Sequence, residues 1–150
     1  EGICAAMWGS GNFGFKLESY DGIEENVALV HEAGACSIVH SDDPTEGQRL
    51  NQHAAVSMRA AQEEGIQIPP EEAVGWITSN PARSMGVGDR TGSLEPGKMA
   101  DVVIWTGDPF SVYTHAEKVF VDGALMYDRS RPDPIIYGDF MVGMEGGVGR

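Results

Sequence analysis

A carboxylate can hold a metal ion, take a proton from water, or cap a turn of backbone, and Ser41-Asp42-Asp43-Pro44 sets two of them side by side. On residue types alone this tetrapeptide is an Asx turn leading into the helix that follows. General-base chemistry is the second reading. The four histidines lie at His31, His40, His53 and His115. His31 and His53 fall on helical stretches among polar neighbours and are expected to face solvent. His40 points away from Ser41 across a strand, which suits a supporting role, and His115 precedes a hairpin. Cys4 and Cys36 are too few for a disulfide framework, and neither CxxC nor HExxH occurs. The segment Trp8-Gly9-Ser10-Gly11-Asn12-Phe13-Gly14-Phe15 lacks the GK[ST] ending of a phosphate loop, so it reads as a flexible loop with aromatic anchors.

These residues need elements to position them. Ile23, Val27 and Val30 recur at helical spacing up to Gly34, with Asp21 as the expected N-cap. Ala35 to His40 is short, β-branched in part and apolar on both faces, so it reads as a buried parallel strand ending at Ser41. A second helix is expected from about Glu46 to Glu64, with Leu50, Ala54, Met58 and Ala61 on one face and Gly65 as its stop. A third follows Pro69-Pro70 toward Asn80, and Pro81 opens one more helical turn that Gly86 ends. After Gly86 the period changes. Ala100 to Trp105 reads as a strand covered on both sides, and Asp122-Gly123 between two apolar runs is a strong type I′ hairpin signal. From Ser130 the proline- and glycine-rich remainder reads as a loosely ordered tail or arm.

Composition narrows the partners. The 150 residues carry 10 basic and 23 acidic side chains, a net charge of −13. Such a surface opposes nucleic acid, whose binding depends on clustered cations, and anionic membranes. No apolar run approaches the roughly 18–20 residues of a membrane-spanning helix. Hydrophobic residues at 41% can build a core, yet one parallel strand with three helices has no sheet to join. The chain therefore reads as a piece of something larger.

Five motifs in one order carry a resemblance. They are Val39-His40-Ser41-Asp42, Thr78-Ser79-Asn80-Pro81-Ala82, the run from Gly92-Ser93-Leu94-Glu95-Pro96-Gly97-Lys98 through Ala100-Asp101-Val102-Val103-Ile104-Trp105, Gly107-Asp108-Pro109, and Val119-Phe120-Val121-Asp122-Gly123. The succession, over residues 21–128, resembles the C-terminal part of the amidohydrolase superfamily, in its imidazolonepropionase-like and prolidase-like branch. The resemblance implies an α/β fold: residues 1–86 the closing units of a (β/α)8 barrel, 87–128 part of a small composite β-sandwich, and 129–150 a tail. A whole barrel takes about 250 residues. Residues 35–64 would be its eighth strand and helix, and Trp8 to Lys16 a linker or part of the pocket rim after the seventh.

In such a barrel the site lies at the C-terminal strand ends, where Asp42 falls. The resemblance implies that Asp42 ligates a divalent metal, zinc foremost, and acts as general base. Asp43 is expected to be a cap or supporting group. The His-x-His pair and further ligands of the family are missing, since no two histidines are two apart, and a catalytic ion needs three or more protein ligands. Two readings follow. The first is the last part of a metal-dependent hydrolase of C–N bonds in small-molecule amides, completed by a missing N-terminal barrel portion or an oligomer partner and inactive alone. The second is a non-catalytic acidic interaction domain on an amidohydrolase-like scaffold.

Overall fold

A computed structural model of the chain describes residues 3–9 and 17–131. The pocket-rim reading of the loop after Trp8 and the tail reading beyond Arg131 lie outside these residues.

The first finding corrects the sequence reading. Residues Cys4–Trp8 form a strand, β1, that pairs in parallel with β2 at Cys36–His40, in register from Cys4↔Cys36 to Trp8↔His40. The run Cys-Ala-Ala-Met-Trp has no β-branched residue, and alanine is depleted in strands, so its pattern gives little local signal. Pairing with β2 decides it. Cys4 and Cys36 also form a disulfide, which their number alone does not suggest.

The connection between the strands is α1, Asn26–Glu32, giving a βαβ unit. The helix starts later than the periodicity predicts. Asp21 is not its cap; Glu25 takes that place without a side-chain bond. Its end is as expected: Gly34 has φ +77°, its N–H donates to the His31 carbonyl, and that of Ala35 donates to Val30. This is the Schellman closure, which needs a residue in the left-handed region. Gly65 closes α2, Leu50–Glu63, in the same way.

The stretch after Pro69 is not one helix. It breaks into α3 at Pro70–Ala73, a 3₁₀ turn at Val74–Ile77, and α4 at Ser79–Ser84. Pro81 sits in the first turn of α4, where a missing N–H costs nothing. The core lies between β2 and these helices: Val27, Ala28, Val39, Ala54, Ala61, Ala73 and Trp76 are buried, with Leu50, Met58 and Ile77 packed around them. The predicted apolar face of α2 is the one that is buried. Ser37, Ile38 and Val39 are buried too, so β2 is covered on both faces as its composition demands.

The remainder is a three-stranded antiparallel sheet, β3 Val102–Trp105, β4 Ala116–Val121 and β5 Ala124–Asp128, in that order. Asp122 (φ +49°) and Gly123 (φ +78°) make the expected type I′ turn. The expectation that β3 is covered on both sides fails: Val103 and Ile104 are 41% and 43% exposed. The described residues offer only one sheet here and no second layer to cover it. Phe110, in the loop between β3 and β4, reaches the helical core, and the Asn51 side-chain amide donates to the Pro109 carbonyl.

Candidate active site at the ends of two parallel strands

Because β1 and β2 run in parallel and in register, Trp8 and His40 finish together, their rings 5.9 Å apart in a tilted contact. Beyond them the chain turns sharply. Ser41 is buried; its hydroxyl donates to the Asp43 carbonyl oxygen at 2.8 Å and accepts the Asp43 N–H at 3.3 Å. The Asp43 carboxylate accepts from the Thr45 N–H at 2.7 Å and from the Thr45 hydroxyl at 2.6 Å. Asp43 is thus the turn-forming aspartate.

Asp42 differs in kind. It stands at φ +54°, a conformation that non-glycine residues adopt rarely and aspartate more readily than most. It is exposed at the C-terminal end of β2. The Asx-turn alternative therefore belongs to Asp43, whose carboxylate caps Thr45.

The floor beneath is α2. Ser57 donates to the Gly9 carbonyl oxygen at 2.9 Å. A Cβ on Gly9 would sit 2.8 Å from the His53 carbonyl oxygen, so only glycine allows the end of β1 to approach the helix this closely. His53 is buried, against expectation, with Nε2 3.4 Å from a Glu46 carboxylate oxygen. Its position was legible in the spacing Leu50-His53-Ser57, which shares the buried face with Ala54 and Ala61. His31 is not a free surface group either. Its Nδ1 accepts the indole N–H of buried Trp76 at 3.1 Å and its Nε2 lies 2.7 Å from Glu72. The His40 ring packs against that of Trp8. His115 joins the end of β3 to the start of β4 through two hydrogen bonds with Thr106.

The histidines are thus dispersed. Among the described residues no group of three or more His, Cys, Asp or Glu side chains is placed to hold a metal ion. The donor set present does not by itself fit a catalytic divalent ion, which takes three or more protein ligands. No helix among the described residues is long and apolar enough to cross a membrane.

The run around Lys98 does structural work away from this site. Lys98 Nζ donates to the Gly88 carbonyl, the Ser93 hydroxyl and Glu95. Hydrogen bonds from Ser93 and Lys98, with the Lys98 charge, lower the pKa of Glu95. Asp101 accepts the Asp122 N–H at 2.9 Å and the Thr91 hydroxyl at 2.8 Å, which together hold its carboxyl below the usual aspartate value.

The profile of the Amidohydrolase family matches residues 21–127. The chain belongs to the amidohydrolase family. An amidohydrolase of Hapsidospora irregularis is 32% identical over 126 residues, which is 83% of this chain and 12% of that protein. The imidazolonepropionase of Thermoplasma volcanium is 38% identical over 70 residues, 43% of this chain and 17% of the enzyme. A urease alpha subunit of Brucella abortus is 32% identical over 120 residues, 71% of this chain and 20% of the subunit. The chain therefore spans a fifth or less of these relatives.

Among solved structures, an amidohydrolase of Thermotoga maritima superposes with a TM-score of 0.67 at 34% identity, covering 78% of this chain and 29% of that one. Guanine deaminase of Escherichia coli shares the fold at a TM-score of 0.61 and 20% identity, covering 85% and 34%. These neighbours are amidohydrolase (β/α)8-barrel proteins, and the α/β architecture of this member is theirs in part.

Proposed function

We propose that this amidohydrolase-family chain forms the closing part of a metal-dependent hydrolase that cleaves C–N bonds in small amides, cyclic amides included. In this reading β1 and β2 are the last two strands of a barrel, within residues 1–86. Residues 87–128 are part of a small sandwich whose other layer covers Val103 and Ile104. Preceding barrel strands or a partner chain supply the remaining metal ligands, and zinc is the first ion to test.

The observation that carries the reading is the placement of Asp42. It is an exposed carboxylate beyond the C-terminal end of a buried parallel strand, in a backbone conformation fixed by its neighbours' bonds. Barrel enzymes build their sites at that end of the strands. There the Asp42 carboxylate is both a ligand and a base able to take a proton from the attacking water and return it to the leaving nitrogen. In this reading Trp8 and His40, in ring contact at the strand ends, wall one side of the site.

The test is Asp42→Asn in the full protein, loaded with zinc and assayed on linear and cyclic amides. Turnover should fall by about 10²–10⁴-fold, whereas Asp43→Asn should cost far less, since Asp43 works on the turn. Near-normal turnover in Asp42→Asn would remove the assignment. A protein without amide hydrolysis in any metal-loaded form would favour the acidic interaction domain.

A further inference from the structure

Cys4 and Cys36 occupy the first paired position of β1 and β2, their Cα atoms 4.4 Å apart and their sulfurs bonded. The pair lies at the opposite end of the two strands from Asp42, separated from it by the length of β2, about 13 Å from Cys36 to His40, and the turn beyond. The surroundings of the two sulfurs differ. Arg83 of α4 donates from Nη2 to the Cys36 sulfur at 3.0 Å and to the Asn80 side-chain oxygen at 3.2 Å. Asn80 in turn donates to the Ser37 carbonyl at 2.8 Å, which fixes α4 against β2. Both cysteines are half-buried, so a small thiol can reach them.

We propose that Cys4–Cys36 is a reversible redox staple between β1 and β2, opened by thiol reductants with Cys36 as the leaving sulfur. A guanidinium beside a sulfur favours its thiolate, and the better-stabilised thiolate leaves faster. An incoming thiolate therefore attacks Cys4 Sγ, the Cys4–Cys36 bond breaks, and Cys36 departs as the thiolate beside Arg83. The mixed disulfide on Cys4 is resolved by a second thiolate of the reductant. Each turn leaves two protein thiols and one oxidised dithiol, with two electrons passed to the protein. Opening removes a cross-link between residues 32 apart in sequence, leaving β1 held by its ladder and side-chain contacts alone.

The test uses the 150-residue chain equilibrated in an oxidised glutathione buffer. Alkylation in denaturant should find no free thiol, whereas two free thiols would overturn the pairing. Brief treatment with reduced glutathione, quenched by alkylation and mapped by mass spectrometry, should place glutathione on Cys4 and the alkyl group on Cys36. The reverse distribution would overturn the assignment of the leaving sulfur. In Arg83→Gln the exchange should slow about threefold and the preference should vanish; an unchanged preference would remove Arg83 from the device. Dithiothreitol should lower the melting temperature by about 5–15 °C and leave that of Cys4→Ser/Cys36→Ser unmoved. An equal fall in the double variant, or none in the native chain, would refute the staple.

Discussion

Neighbouring residues of one type do different work when the backbone sorts them. Asp42 and Asp43 are adjacent carboxylates, yet Asp43 closes the turn onto Thr45 while Asp42 takes the left-handed conformation and faces outward. The same logic holds at Gly9, where a methyl group would meet the backbone of His53. Gly9→Ala should destabilise the chain by about 1–3 kcal/mol through overpacking, measured by urea unfolding. His31 gives a second residue-scale prediction. It is the acceptor for the indole N–H of Trp76, a residue with no exposed surface. His31→Leu leaves that donor unpaired at a cost of about 1–3 kcal/mol. His31→Gln keeps an acceptor within reach and should cost less, which denaturant midpoints of the two variants would separate.

At the scale of elements, turns and clasps set the boundaries. The hairpin β4–β5 depends on positive φ at both Asp122 and Gly123, so Gly123→Ala should destabilise the sheet by about 1 kcal/mol. Asp101 ties this turn to Thr91 through the Asp122 N–H and the Thr91 hydroxyl. Those bonds favour the carboxylate, so its folded-state value lies below the ordinary 3.8. The clasp therefore contributes in full above that value and is lost as the pH falls through the lower folded one. Hydrogen-exchange protection of the Asp122 amide should drop on acidification below about pH 4, and Asp101→Asn should lack this step.

For the whole molecule, the described sheet faces and helices leave large apolar side chains in contact with water. Val103, Ile104, Val121 and Met126 lie on the three-stranded sheet, and Ile3, Leu17 and Tyr113 lie elsewhere. Isolated apolar residues on a surface are ordinary, but contiguous patches mark interfaces. The chain by itself should bind an apolar dye strongly, and dye binding should fall when the rest of the proposed enzyme is present. It should also carry no tight stoichiometric zinc after dialysis against a weak chelator, because the described residues converge no set of ligands. One bound zinc per chain would place the missing ligands within this chain or between copies of it.

Local chemistry was enough for much of this architecture. The glycine stops at 34 and 65, the doubly buried strand at 36–40, the α2 face and the Asp-Gly hairpin are all legible because each depends on a few adjacent residues. The position of Asp42 at a strand end was legible for the same reason. The strand at Cys4–Trp8 was not, because alanine-rich sequence has little strand preference and only pairing with Cys36–His40 defines it. The disulfide and the Trp76–His31–Glu72 chain were equally closed to inspection. Each joins residues far apart in sequence, and such contacts exist only once the elements have packed.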